Sequence, residues 1–346
     1  MSAGSPSDTG SDPKTVPAAI WSSWQPLGDV PPINPAVLAE ILDGGQAFRW
    51  QRNTGGIWLG IWANCCARLR IGAAGGIEWS APTALQALVA RALPLYFSSG
   101  CDQEALANAL PWRSDPHLAR CMTDFRGLRI LRQPFGETLL GFLCSATKQI
   151  VQIKEMIAQL AARHGTPLAA GSTLATGASS PQGNKGTFGT VRQLPTWTEL
   201  ATLSETELRA CRLGFRARYI TETAAVLAVR PGWLEETEGA PYAQAKARLC
   251  ALPGVGEKIA DCVLLFGAGR LEAFPVDTWI LQAMAARYGL GGWRPAQIAQ
   301  FGRAHFGPGA GLAQQYLFAF ERATARRRTA KPTGQNQRGR SISSTS

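Results

Sequence analysis

The sequence predicts an α+β fold: a small antiparallel sheet with covering helices, followed by a mostly α-helical helix-hairpin-helix core. Three observations carry this reading. Between Gln46 and Ser80, the short β-like pieces QAFRW, GIWLGIW, CCARLRI and GGIEWS are separated by glycine turns such as Thr54-Gly55-Gly56 and Ala74-Gly75-Gly76. From about Leu128 onward, apolar residues recur at intervals of three and four. Within that helical half, Pro253-Gly254-Val255-Gly256 forms a tight turn with helical patterning on both sides.

Taken in order, residues 1–20 are rich in Ser, Gly, Asp and Pro and read as a disordered leader. Residues 21–127 hold the sheet, with NPAVLAEIL before it and APTALQALVARAL after it as helices covering one face. The Trp and Phe residues of this region read as core rather than as groups that stack on bases. Residues 128–325 form the helical core. Its first long pattern, GETLLGFLCSATKQIVQIKEMIAQLAARHG, is interrupted near Ser145-Ala146-Thr147, and residues 168–190 form an aperiodic, exposed insertion. Ser204 with Glu207 starts a helix as a capping box. Further helices are expected over RYITETAAVLAV, the two arms of the hairpin, WILQAMAARYG, PAQIAQFGRAHF and GLAQQYLFAFERAT. Residues 326–346 read as a basic, disordered tail.

Composition narrows the function classes. A chain of 346 residues holds two or three modest cores, which suits one compact multi-lobed enzyme and an expected monomer. Thirty-five Lys and Arg against 24 Asp and Glu give a net charge of +11, which favours a polyanionic partner. The segment from Arg322 to the end contributes seven of those basic residues and no acidic one, leaving about +4 for the rest. The eight cysteines include no CxxC pair and none follows Cys262, so neither an iron–sulfur cluster nor any other cofactor is expected, and the thiols should be reduced. His117, His164 and His305 are too dispersed for a metal site. No signal peptide or membrane span is evident; the expected location is the cytoplasm or nucleoid of a bacterium, or the nucleus of a eukaryote.

The chemistry concentrates between Leu252 and Ile280. Backbone N–H groups around Gly254, Val255 and Gly256 would face outward at the positive end of the following helix, ready for a phosphate oxygen; an ordinary helix-helix turn would look the same. Such a grip reads no bases and suits a protein that scans duplex DNA. Lys258, at the start of that helix and partly buried, is an amine placed to act as a nucleophile. Cys262 lies on the same helix face one turn later. Asp277 opens the next helix, where a capping role and a catalytic one are compatible, because a cap is a rigidly held carboxylate.

LPGVGxKxADC followed by PVD resembles the helix-hairpin-helix DNA glycosylase superfamily, and in particular the 8-oxoguanine DNA glycosylases. Three further segments match in the same order. These are Gly45-Gln46-Ala47-Phe48-Arg49-Trp50, Leu213-Gly214-Phe215-Arg216-Ala217-Arg218-Tyr219, and Ala313-Gln314 with Phe318, so that the resemblance spans roughly Trp21 to Arg322. It implies a bifunctional glycosylase and lyase of base excision repair. Lys258 would attack the anomeric carbon of the damaged nucleotide, and Asp277 would stabilise positive charge on the sugar. It further implies that the Gly45 carbonyl accepts the N7 proton that distinguishes 8-oxoguanine from guanine. Gln314 would bond the Watson–Crick edge, and Phe318 and Cys262 would sandwich the ring. Helix packing alone would also account for Phe318.

Several positions depart from the family pattern. Thr147 stands for an asparagine and Gln152 for an arginine, leaving Arg216 alone of the three that read the orphaned cytosine. Phe215 replaces a tyrosine wedge, Trp279 a phosphate-contacting histidine, and Phe266 a pocket methionine. The alternatives are an alkylpurine glycosylase, which uses the aspartate without a lysine nucleophile, and a non-catalytic helix-hairpin-helix protein that only holds DNA.

Overall fold

The computed structural model describes residues 20–168 and 191–329. The leader up to residue 19, residues 169–190 of the expected insertion and the tail from 330 lie outside the described residues. The chain opens with β1 (Gln25–Pro26) and α1 (Pro35–Asp43); α1 starts where Asn34 Oδ1 accepts from the amide of Ala36 and Pro35 presets the first turn. Strands β2 (Trp50–Arg52), β3 (Trp58–Trp62), β4 (Cys65–Ile71) and β5 (Ile77–Ser80) follow. They form one antiparallel sheet of order β1-β5-β4-β3-β2. Along β3 Trp58, Gly60 and Trp62 point inward in strict alternation. Trp50, Trp58, Trp62 and Trp79 are all buried, as expected of core residues.

Of QAFRW only Trp50 is strand. Gln46 to Arg49 instead form a loop, because the buried Gln46 amide bridges a distant segment: its Nε2 donates to the Arg129 carbonyl and its Oε1 accepts from the Leu131 amide. After the sheet come α2 (Gln86–Tyr96), α3 (Gln103–Asn108) and α4 (Pro116–Asp124). The helical half contains α5 (Phe135–Leu143), α6 (Ile150–His164), α7 (Trp197–Leu200), α8 (Glu205–Arg209), α9 (Arg216–Ala228) and α10 (Trp233–Gly239). It ends with α11 (Tyr242–Cys250), α12 (Glu257–Phe266), α13 (Thr278–Tyr288), α14 (Pro295–Phe306) and α15 (Ala310–Thr329). Ser204 and Glu207 cap α8 reciprocally, as the motif predicts. Helices α3, α4, α7 and α10 were not anticipated; α3, α7 and α10, of seven residues or fewer, carry too few repeats to show a period.

Helix α15 runs to Thr329, past the expected start of the tail at 326. Its Ala- and Arg-rich sequence favours helix. It packs on α4, α13 and α14. Buried Arg322 ties it to the N-terminal region, donating through Nη1 to Glu40 Oε1 at 2.7 Å and to the Gly44 carbonyl at 2.5 Å. The last helix therefore fixes the loop that begins at Gly44. Among the described residues no helix is long and apolar enough to cross a membrane.

Candidate active site

The hairpin forms as the turn chemistry requires. Gly254 has φ +75°, and a Cβ there would lie 2.5 Å from Cγ of Tyr219 on α9, so the position needs glycine for both conformation and space. Buried Val255 anchors the turn, its amide donating to the Leu252 carbonyl, while Gly256 caps α12 with open space beside it. The two arms are locked by a network that the sequence reading missed. Asp261, 1% exposed, accepts from Tyr242 Oη at 2.7 Å and from Lys246 Nζ at 3.1 Å. Burial still holds its carboxyl above the ordinary range. A lone carboxylate inside the apolar run IADCVLLF was the available signal, because such a charge needs a partner.

Lys258 occupies the first turn of α12, half-buried. Its Nζ donates to Ser145 Oγ at 3.3 Å and lies 5.5 Å from the centroid of Phe142. Among the described residues it has no carboxylate at ion-pair distance, yet its charge is felt by both Cys262 and Asp277. Burial pushes the Cys262 thiol up to about 12, against the pull of the Lys258 ammonium, so this sulfur stays protonated at neutral pH and is no nucleophile. Asp277 caps α13, its Oδ1 accepting from the Ile280 amide at 2.9 Å. Burial raises its carboxyl above the ordinary range, and the amides of Ile280 and Trp279 and the Lys258 ammonium pull it back. Trp279 thus stands on the first turn of α13, beside that carboxylate.

The second group of residues also converges. Gly45 has φ +107°, and a Cβ on it would lie 3.1 Å from Ile150 Cδ1 and 3.9 Å from Phe318 Cε1, which puts the Gly45 loop against α15 and the start of α6. Its carbonyl accepts no hydrogen bond among the described residues. Gln314 is 3% exposed, and its amide is half committed, Nε2 donating to the Pro275 carbonyl and Oε1 accepting from Gln315 Nε2. One donor and one acceptor lone pair remain. Phe318 is partly exposed beside them, with Arg322 5.1 Å from its ring. Phe266 is fully buried and stacks on Phe142 at 5.5 Å. Ile150, unmarked in the sequence, stands at Gly45.

In a third group Thr147, Gln152 and Phe215 face solvent, while Arg216 behind them is buried. Thr147 has φ +55°, a conformation that β-branched residues avoid, and its Oγ1 accepts from Arg216 Nη2 at 2.9 Å; the same guanidinium donates to the Ala146 carbonyl. Phe215 is 50% exposed and lies edge-on to Tyr219, the residue that packs on Gly254, so the wedge position and the hairpin share one surface. Gln152 is exposed and spends its oxygen on the Gln149 amide at the start of α6.

A lysine at a hairpin-capped helix start, an aspartate capping the next helix and an aromatic on the same face as the hairpin are the arrangement that the resemblance to helix-hairpin-helix DNA glycosylases predicts. The archaeal 3-methyladenine DNA glycosylase of Archaeoglobus fulgidus shares this fold at TM-score 0.63 and 19% identity, covering 87% of this chain and 99% of that one. The chain is similar to the 8-oxoguanine DNA glycosylases in sequence and in fold. Residues 31–139 match the family model described as 8-oxoguanine DNA glycosylase, N-terminal domain. The N-glycosylase/DNA lyase OGG1 of Arabidopsis thaliana is 33% identical over 221 residues, 60% of this chain and 56% of that protein. The chain spans about half the length of the curated relatives it matches. The crystal structure of Clostridium acetobutylicum 8-oxoguanine glycosylase/lyase with duplex DNA containing cytosine opposite 8-oxoguanine superposes at TM-score 0.72 and 28% identity, covering 83% of this chain and 92% of that one.

Proposed function

We propose that this chain is a bifunctional DNA glycosylase and lyase that flips an oxidised purine, 8-oxoguanine in particular, out of duplex DNA and excises it. The observation that carries the reading is the Lys258 amine, held at the start of α12 by Ser145 and felt electrostatically by the Asp277 cap of α13. Lys258 Nζ attacks the anomeric carbon as the bond to the base breaks, and the bonding electrons leave with the base. Loss of a proton from nitrogen and opening of the sugar ring give the Schiff base, from which β-elimination cuts the strand. Asp277, fixed by two backbone amides, faces the positive charge that builds on the sugar. The flipped base meets the open Gly45 carbonyl, the spare hydrogen-bonding capacity of Gln314, and the faces of Phe318 and Cys262. The hairpin of Gly254, Val255 and Gly256 grips the backbone, Trp279 sits beside it, and Phe215 fills the gap in the stack while Arg216, Thr147 and Gln152 face the orphaned base.

Borohydride trapping on duplexes with one 8-oxoguanine opposite each of the four bases tests this. A covalent band lost in Lys258→Gln is expected. Base release without any trapped band would move the chain to the monofunctional alkylpurine type, and DNA binding without base release to a silent binder.

A further inference from the structure

We propose that Ser145 is a positioning residue for the Lys258 amine, holding one N–H so that the nitrogen lone pair is left free for the sugar. The proposal rests on the lyase reading above. Ser145 is buried on the turn between α5 and α6, and its hydroxyl proton is already committed, Oγ donating to the Phe142 carbonyl at 2.7 Å. A hydroxyl has one proton and two lone pairs, so toward Lys258 Nζ, 3.3 Å away, it acts as an acceptor only.

That polarity decides what the contact does. An acceptor can bind an N–H of the neutral amine, if less strongly than one of the ammonium, and it never engages the nitrogen lone pair. A hydroxyl free to donate would occupy that lone pair and suppress attack. The second boundary is the face of Phe142, 5.5 Å from Nζ and held in place by its stack on Phe266. One acceptor and one aromatic face thus bound the amine, and its charge reaches Cys262 and Asp277. Because Phe142 supplies both the ring and the carbonyl that orients Ser145, a single residue of α5 sets both boundaries.

The test is single-turnover borohydride trapping at saturating protein on an 8-oxoguanine duplex and on an abasic duplex, with equilibrium duplex affinity and thermal unfolding measured alongside. Ser145→Ala is expected to slow trapping on both duplexes by about tenfold to hundredfold. Duplex affinity should stay within about twofold. Ser145→Thr, which keeps the hydroxyl, should recover most of the rate. Undiminished trapping by Ser145→Ala overturns the proposal. So does a loss matched by an equal loss of duplex affinity, or one that a folded Ser145→Thr fails to recover. If the threonine variant does not fold, the saturating rate and affinity of Ser145→Ala decide. Absence of a band with the unsubstituted protein on bound DNA removes the lyase reading itself and this proposal with it, and that result needs no variant.

Discussion

In the proposed mechanism Asp277 sets function against stability in one side chain. Burial holds its carboxyl above its ordinary value of 3.8, so the folded chain binds the proton more tightly than the unfolded one. Stability therefore falls as pH rises from that ordinary value through the raised one, and the cost persists at neutral pH. Asparagine caps a helix as well as aspartate does and carries no charge to desolvate. Asp277→Asn should unfold at a higher temperature near neutrality, with a flatter pH dependence on the acid side. Its trapping rate should fall by about 10²-fold or more, which thermal melts across pH and single-turnover assays would establish. Thr147 presents the same conflict through its backbone. A β-branched residue at φ +55° costs about 1–3 kcal/mol, and asparagine is far more tolerant of that region. Thr147→Asn should gain about 1 kcal/mol in denaturant unfolding. An asparagine amide beside Arg216 should also sharpen the preference for cytosine opposite the lesion, read by excision from the four duplexes.

At the scale of the element, the hairpin separates two uses of glycine. Gly254 needs its conformation and its missing Cβ, since a methyl group would strike Tyr219. Gly256 has φ −90° and nothing within 4 Å, so its missing side chain matters only to whatever approaches from outside. Gly254→Ala should therefore lose about 1–3 kcal/mol of stability and displace Tyr219, and with it the Phe215 wedge. Gly256→Ala should unfold nearly as the parent does but bind duplex DNA more weakly, to a similar extent whether or not a lesion is present. Urea unfolding and filter binding with and without 8-oxoguanine would tell the two apart.

In the whole molecule, Arg322 and Glu40 join the last helix to the first across nearly the full length of the chain. Burial raises the Glu40 carboxyl although the Arg322 guanidinium, and Arg326 after it, oppose the shift, and the hydrogen bond comes from Arg322. Arg322→Ala should cost about 3–5 kcal/mol, because it leaves a buried carboxylate unpaired. Replacing both residues, as in Glu40→Leu with Arg322→Met, should restore most of that loss. The double variant should still excise 8-oxoguanine less selectively against guanine, because the Gly44 carbonyl loses the donor that fixes the Gly45 loop. Chemical denaturation of the single and double variants, paired with excision from lesion and undamaged duplexes, checks both statements.

Legible in the sequence were the α+β class, the sheet between Gln46 and Ser80 apart from its late start at Trp50 and the added strand β1, the hairpin, and the placement of Lys258 and Asp277 at helix starts. Each of these depends on local causes: alternation along a strand, glycine and proline at turns, a cap before a helix. The family resemblance added Gly45, Gln314 and Phe318 as parts of one site. Packing was needed to see that Gln46 and Arg322 hold the Gly45 loop, that Ser145 meets the Lys258 amine, that Phe266 stacks on Phe142, and that Asp261 is paired with Lys246 and Tyr242. It also extended α15 to Thr329. All but the last of these contacts depend on residues distant in the chain or on which face of a helix is covered, and no local pattern encodes where a buried polar group will find its partner.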